Sequence, residues 1–420
     1  MTKERLWRKN FILIMIVSLF SGFMVNFFTN TMPVYAENMT HTAVYAGLVT
    51  TTYTVAALAT RPLIGVACER FDSKRLIICG IVLMTISCFG YMFAASIWMV
   101  LFVRIIHGIG FGIKTTASGV LVADIIPKSR FAEGIGMFGL YLPVTNAIGP
   151  AVGLYITEAG KFNMLFITAG VIGCTSLILM MCMKKSKADI SATVDDKRIE
   201  DEEITFEQVE EIKLPKTFLK FEFGVVYPSA VLALTYFGYA AIISFIALYG
   251  RSEGISGIGL FFTIGAIALF ISRYIFAKLV KRYGYHRFVI VSLILFAAVL
   301  VIIPYVKNIY ILYCLSVFYG IALGIVPMAV NAQVLERCSV KRRGTATAAY
   351  TSAMDIGIGL GSIVLGVLVE MSGYKWAFGF AGFVTLLGAG IYMVTVMRDH
   401  EEYKRRIDAI NDSISNVSIR

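Results

Sequence analysis

The chain has 420 residues, 58% of them hydrophobic and 15% charged, with a formal net charge of +11 and a mean hydropathy of +0.76. A soluble core of this composition would leave too little polar surface to cover it, which excludes the two or three soluble domains that the length alone suggests. The positive charge does not point to nucleic acid either, because no soluble basic face with accessible aromatics accompanies it.

Apolar runs long enough to cross a bilayer recur roughly at 11–34, 43–67, 76–96, 98–123, 132–157, 161–183, 223–249, 255–280, 287–306, 308–334, 344–369 and 374–397. Backbone in lipid must satisfy its own hydrogen bonds, so each run predicts a helix and the chain an all-α membrane protein with twelve transmembrane helices. The first run follows Lys3, Arg5, Arg8 and Lys9. It is too long for a signal peptide and no small-residue cleavage site follows it, so it is an uncleaved first span.

With the N-terminus in the cytoplasm, the outer loops hold only Lys161, Arg251, Lys307 and Lys375. Arg61, Arg104, Lys114 and Arg273 lie inside spans, and the other 30 of the 38 basic residues fall in tails and inner loops. This bias predicts a multi-pass membrane protein with both termini cytoplasmic. The seven cysteines show no CxxC pair and no histidine at metal spacing. They are expected to be buried thiols, with Cys68 at the start of an inner loop, and no metal is expected.

The chain also repeats itself. Arg61 to Arg75 reads RPLIGVACERFDSKR and Arg273 to Arg287 reads RYIFAKLVKRYGYHR, an offset of 212. The same offset puts His107-Gly108-Ile109-Gly110-Phe111-Gly112 onto Tyr319-Gly320-Ile321-Ala322-Leu323-Gly324, Asp124 onto Glu336 and Gly149 onto Gly361. Two similar halves predict two pseudo-symmetric six-helix bundles, 1–183 and 223–397, that rock against each other. The polar, mixed-sign stretch 184–222 is the expected cytoplasmic linker and 398–420 a cytoplasmic tail.

After the second span stand Gly65, Glu69, Arg70, Asp72, Lys74 and Arg75; the fourth carries Arg104, Gly108, Gly110 and Gly112; the fifth carries Gly149-Pro150 and Gly153. These residues, with Ala123-Asp124-Ile125-Ile126-Pro127 and Arg343-Gly344, resemble the major facilitator superfamily, and within it the bacterial proton-coupled efflux permeases, of drug or of sugar and metabolite type. The family pattern GxxxDRxGRR/K appears here with Glu69 for its acid and Asp72 for its second glycine. The second copy keeps that glycine, as Gly284, and has Lys281 for the acid. The resemblance implies alternating access, with helices 1, 4, 7 and 10 lining a central cavity and Arg104 matching the arginine tied to proton coupling.

Gly65, Glu69 and Arg70 share the cytoplasmic side with Asp124 and predict a latch that holds the outward-open state and breaks in the inward-open one. In it Gly65 would let a neighbouring helix approach closely. Lys74 and Arg75 join the latch or only anchor topology. Lys114 lies about 15 Å above Asp124 by helix rise, near the bilayer middle. Such a cation needs water, an anion or a carboxylate, so it is a substrate anchor, the partner of a proton-carrying acid, or half of a structural ion pair. Asp355, about 17 Å deep by the same rise, is the expected proton-coupling acid, with Lys114 and Arg104 as its cations; close helix packing is its alternative role. Pro150 should loosen its helix, and Gly153 should touch a helix of the other half.

Asn26, Asn30, Tyr141, Asn146, Tyr236, Tyr239 and Asn331 are candidate substrate contacts, or else helix–helix contacts. No GxxxxGK[ST] loop is present, and His41, His107, His286 and His400 form no cluster with carboxylates, so neither ATP drive nor an enzyme is expected. The expectation is a monomeric secondary active transporter of a small organic solute, working by proton-coupled export without a cofactor. Its partners are that solute, protons and the lipid bilayer. A proton-coupled importer of a small organic anion is the alternative, and a non-transporting membrane sensor a third.

Overall fold

The computed structural model describes residues 6–127, 130–158, 160–183, 217–218, 221–336 and 343–396. Most of the expected linker and the whole expected tail lie outside the described residues. Of the linker, Thr217–Phe218 pairs antiparallel with Phe221–Glu222.

The helices, in chain order, are α1 Lys9–Thr40, α2 Ala43–Arg70, α3 Ser73–Gly90, α4 Ile97–Ile125, α5 Phe131–Phe138, α6 Tyr141–Glu158, α7 Phe162–Met181, α8 Phe223–Ser252, α9 Ile258–Tyr283, α10 His286–Ile302, α11 Ile309–Glu336 and α12 Arg343–Ile391. Eleven helical stretches among the described residues are long and apolar enough to span a bilayer, α5 and α6 together making one of them. The last, α12, is broken at Gly373, whose φ of 81° and ψ of 174° no helix contains. Gly357 before the break and Gly388 after it both meet α8 near Leu234 and Tyr236. The chain therefore reverses at Gly373, and the described residues form twelve spans with this last stretch counted as two.

The offset of 212 holds in space. A Cβ on Gly108 would strike the Tyr53 carbonyl and one on Gly320 the Gly265 carbonyl; Gly112 meets Ala57 and Thr60 as Gly324 meets Leu269 and Ser272. Each pair differs by the same 212 positions, so α2/α4 and α9/α11 are the same small-residue contact built twice.

Two seams join the halves, and they too are copies. In α2/α12, Thr51 Oγ1 donates to the Gly359 carbonyl at 2.7 Å; in α9/α6, Thr263 Oγ1 donates to the Ala147 carbonyl at 2.7 Å. Gly47 abuts Ser362 and Ile363, and Gly259 abuts Ala151. The fifth-span contact across the halves is thus made by the face of Ala147 and Ala151. Gly153, expected there, packs instead on Phe27 and Thr31 of α1 in its own half.

The halves are closed at one end only. At the end where α1 runs into α2, one core combines Val34, Ala43, Ala46 and Leu154 with Ala240, Phe245, Ile258 and Leu365. At the opposite, linker end there are two separate cores, Phe11, Ile14, Ile77 and Ile126 in the first half and Val225, Phe276, Val289 and Val334 in the second. Two further contacts tie the closed end: Glu370 Oε2 accepts from the Ala43 backbone N–H at 2.8 Å, and Arg251 donates to Asn38 Oδ1 at 2.7 Å. The structure is closed at the far side and parted at the linker side.

Candidate functional site

The expected latch lies at the parted end. Cys68, expected in a loop, is inside α2, which continues to Arg70; Gly65 and Arg70 belong to its last turns. Phe71 and Asp72 alone form the turn, and Asp72 caps α3 by accepting from the Lys74 N–H at 3.0 Å. The cap gives a reason for aspartate where the second copy has Gly284, a residue at φ 68°. Lys74 Nζ donates to the Met181 carbonyl at 3.2 Å and to that of Met183, holding the C-terminus of α7.

Gly65, expected to admit a neighbouring helix, has nothing within 4 Å of the place a Cβ would take. Arg70 and Asp124 are exposed, and Arg70 makes no ion pair among the described residues, so the Arg70–Asp124 contact is not formed in this state. The side chain of Glu69 lies outside the described residues.

Deeper in, a polar belt crosses the molecule between the halves. Asp355, on α12, receives the Arg61 Nε–H at 2.8 Å from α2 of the other half. This corrects the expected Lys114–Asp355 proximity. The two side chains remain 20% and 14% exposed, so the pair is not sealed as Arg104 and Lys114 are. Lys114, by contrast, is enclosed in the first half: Nζ donates to Ser18 Oγ at 3.3 Å and lies 5.2 Å from the Tyr141 ring centre. A membrane-buried cation without a carboxylate is costly, and the tyrosine face supplies part of what the acid would have.

Arg104 is also sealed in the first half. Its Nη2 donates to the Phe28 carbonyl at 3.3 Å, and its guanidinium lies 5.3 Å from the Tyr53 ring and 5.8 Å from that of Tyr91. No carboxylate among the described residues pairs with it, and its Nε has no hydrogen-bond partner there. His107 joins this cluster through a 3.1 Å hydrogen bond between Nδ1 and the Tyr91 hydroxyl. Tyr53 lies within electrostatic reach of Arg104 and also of Arg61 and Asp355, so it stands between the sealed cluster and the belt.

The second half contributes aromatic groups. Tyr236 and Tyr239 meet edge to face at 5.6 Å, and Tyr239 stacks on Tyr319 at 6.2 Å. Tyr236 has Tyr239, Tyr350, Arg273 and Asp355 as electrostatic neighbours. Tyr350 is fixed by donating to the Pro327 carbonyl at 3.1 Å.

The amide candidates separate. Asn26 bonds Thr145 Oγ1 at 3.2 Å and packs beneath Gly149, so it joins α1 to α6. Pro150 sits inside an unbroken α6. Asn30 is 1% exposed, with neither side-chain polar atom partnered. Asn146 and Asn331 are half-buried. The belt therefore brings Tyr236 within reach of Asp355, with Tyr239 packed on Tyr236, leaves Lys114 and Arg104 inside the first half, and places Asn26 in a helix contact. A 420 Å³ hollow lined by Ile267, Ile271, Ile275 and Leu279 is apolar and faces outward from α9, where lipid would fill it.

Sequence reasoning missed the partner of Asp355. Arg61 was visible as a repeated residue, but periodicity within one helix carries no information about a contact 294 positions away. Glu370 was missed because its acceptor role is toward a backbone N–H, which has no sequence signature.

The comparisons agree with this architecture. The family model described as Major Facilitator Superfamily matches residues 14–286 and 229–417. An uncharacterised MFS-type transporter of Methanocaldococcus jannaschii is 23% identical over 385 residues, covering 90% of this chain and 96% of that protein. The multi-drug resistance efflux pump PmrA of Streptococcus pneumoniae is 23% identical over 68% of this chain and 70% of its own. In fold, the chain is similar to a D-xylose-proton symporter, with a TM-score of 0.73 at 16% identity over 91% of this chain and 96% of that one. It is similar also to the nucleoside transporter NupG, with a TM-score of 0.71 at 12% identity over 91% and 99%. With twelve spans in two repeated halves and a family match along nearly the whole length, the chain is a multi-pass membrane transporter, not an enzyme, and belongs to the major facilitator superfamily.

Proposed function

We propose that this protein exports a small organic solute in exchange for protons, with both termini in the cytoplasm of a prokaryotic plasma membrane. The observation that carries the reading is the Arg61–Asp355 pair. Asp355 pairs with Arg61 at the seam where the halves meet, and both side chains keep some exposure; helix rise puts the acid deep in its span. Protonating Asp355 removes the charge that Arg61 holds. An ion pair across a moving seam is thereby converted into a neutral contact, and the energy difference between the two states of the transporter changes with it.

In the cycle we infer, solute enters from the cytoplasm through the parted linker side while Asp355 is ionised and paired. The halves then rock, the far side opens, and Asp355 takes a proton there as solute leaves. Gly65, Glu69, Arg70 and Asp124 close the linker side in that outward state; the exposure of Arg70 and Asp124 in the present state is the arrangement such a latch has when open. Arg104, Tyr53 and His107 act as a rigid electrostatic neighbour of the pair. Tyr141, Asn146, Tyr236, Tyr239 and Asn331 contribute to the solute path, and Gly149, Pro150 and Gly153 hold α6 against α1. The efflux pump among the relatives favours export, and the proton symporter among the fold neighbours is compatible with a proton as the driving ion.

The test uses inside-out vesicles with an imposed pH gradient, acid inside, and a solute panel. Gradient-dependent accumulation supports proton-coupled export. Accumulation only in right-side-out vesicles with an acid exterior would turn the direction into import.

A further inference from the structure

We propose that Arg273 is the anchor for an anionic group of the transported solute, so that the cargo is an organic anion; this rests on the transport reading above.

The argument comes from the paired seams. Going down the α2/α12 seam, three contacts follow in order: Gly47 on Ile363, Thr51 on Gly359, and Arg61 on Asp355. Going down the α9/α6 seam, the first two recur at the offset of 212, as Gly259 on Ala151 and Thr263 on Ala147. The third should be Arg273 on residue 143. Arg273 is present, but residue 143 is Pro143. The second seam has kept the arginine and lacks the acid.

Arg273 is half-buried, its Nε is buried with no hydrogen-bond partner, and it makes no ion pair among the described residues. A guanidinium at this depth is costly unless something anionic or wet meets it. Its neighbours are phenols: Tyr236 and Tyr350 are both within its electrostatic reach. A planar fork of N–H donors suits a carboxylate, which accepts two parallel hydrogen bonds from arginine.

The remaining deep cations are less suited. Arg61 is neutralised by Asp355, and Arg104 and Lys114 are 3% and 2% exposed inside the first half. Arg273 is the deep cation that is on a seam, partly open and without an acid among the described residues. It is a better placed anion anchor than Lys114, the substrate anchor expected from the sequence. Tyr236, in reach of both Arg273 and Asp355, places a bound anion beside the proton site, so charge on the solute and charge on Asp355 oppose each other directly.

The experiment supplies an isotope-labelled extract of small cell metabolites to the outside of inside-out vesicles with an imposed pH gradient, acid inside. Accumulated species are identified by mass spectrometry against vesicles lacking the protein. Wild type, Arg273→Gln, Arg273→Lys and Pro143→Asp are compared at equal amounts of protein that elutes as a single folded species. The expected result is that wild type accumulates solutes carrying a carboxylate or another anionic group, that Arg273→Gln reduces this at least about tenfold, and that Arg273→Lys retains an intermediate level. Pro143→Asp, which supplies the missing acid, should act like Arg273→Gln although Arg273 is intact. Accumulation of neutral or cationic solutes, or of anions undiminished in Arg273→Gln, overturns the assignment of Arg273 while transport stands. No gradient-dependent accumulation in wild type overturns both. Should Arg273→Gln fail to fold, Pro143→Asp decides alone: full anion accumulation in that variant refutes the proposal.

Discussion

Arg61 and Asp355 lie 294 positions apart and meet at 2.8 Å, one from each half of the molecule. The contact joins two bodies that must move relative to each other, so its strength in each state bears on the transport cycle.

Asp355→Asn should abolish gradient-driven accumulation, with a loss on the order of a hundredfold, while solute exchange without a gradient persists. Arg61→Ala should impair both, because it leaves the carboxylate unpaired at the seam. Both rates are measurable on purified protein in liposomes. Normal gradient-driven accumulation by Asp355→Asn would leave the pair as a structural contact only.

Gly47→Ala should prevent closure of the far side. The added methyl meets the backbone of Ser362, which cannot swing away as a side chain can. Transport is expected to drop at least about tenfold, with expression near normal because the clash falls between the halves. Gly390→Ala, with nothing within 4 Å, is the matched control. Spin-label distances across the far side should lengthen in Gly47→Ala only.

Glu370→Ala removes the acceptor of the Ala43 N–H. Loss of one such cap is worth about 1 kcal/mol, so the open far side should gain roughly fivefold in population. A cysteine at Thr51, labelled from the far side, reports it. No rise in labelling rate would show that the cap does not contribute to closure.

Arg70→Ala and Asp124→Ala should each slow transport and shift cross-linking toward the state seen here, parted at the linker side. The unpaired partner costs about 1–3 kcal/mol of state preference. Insertion and folding should be unaffected, since Arg70 is exposed in this state. Full activity in both variants would dismiss the latch.

A cysteine at Ser252 should be labelled from outside intact cells and one at Phe71 should not. The reverse pattern would invert the membrane orientation.

Twelve spans were legible because each is a long apolar run, and even the break within α12 was marked by Gly373 between two runs. The position of Asp355 well inside a span was legible from the sequence. What it pairs with was not, because rise within α12 says nothing about which helix of the other half faces it. The repeat contained the missing information in part: Arg61 and Arg273 were aligned, but only the paired threonine contacts at Gly359 and Ala147 show which faces those arginines share. Gly153 was assigned to the wrong neighbour for the same reason. Small residues signal close approach, and the sequence of one helix does not name the helix that approaches. Lys114 looked like a cavity cation because polarity at mid-span reads alike whether it faces water or a tyrosine ring.

The matched seams have a mechanical consequence. Thr51 with Gly359 and Thr263 with Ala147 are equivalent fastenings between the same two halves, so a rocking motion that loosens one alters the load on the other. A disturbance at one is felt at the other by leverage, without a relay of side chains through the interior. The proton and the cargo need not touch to be linked; it is enough that each sits beside one of the two fastenings.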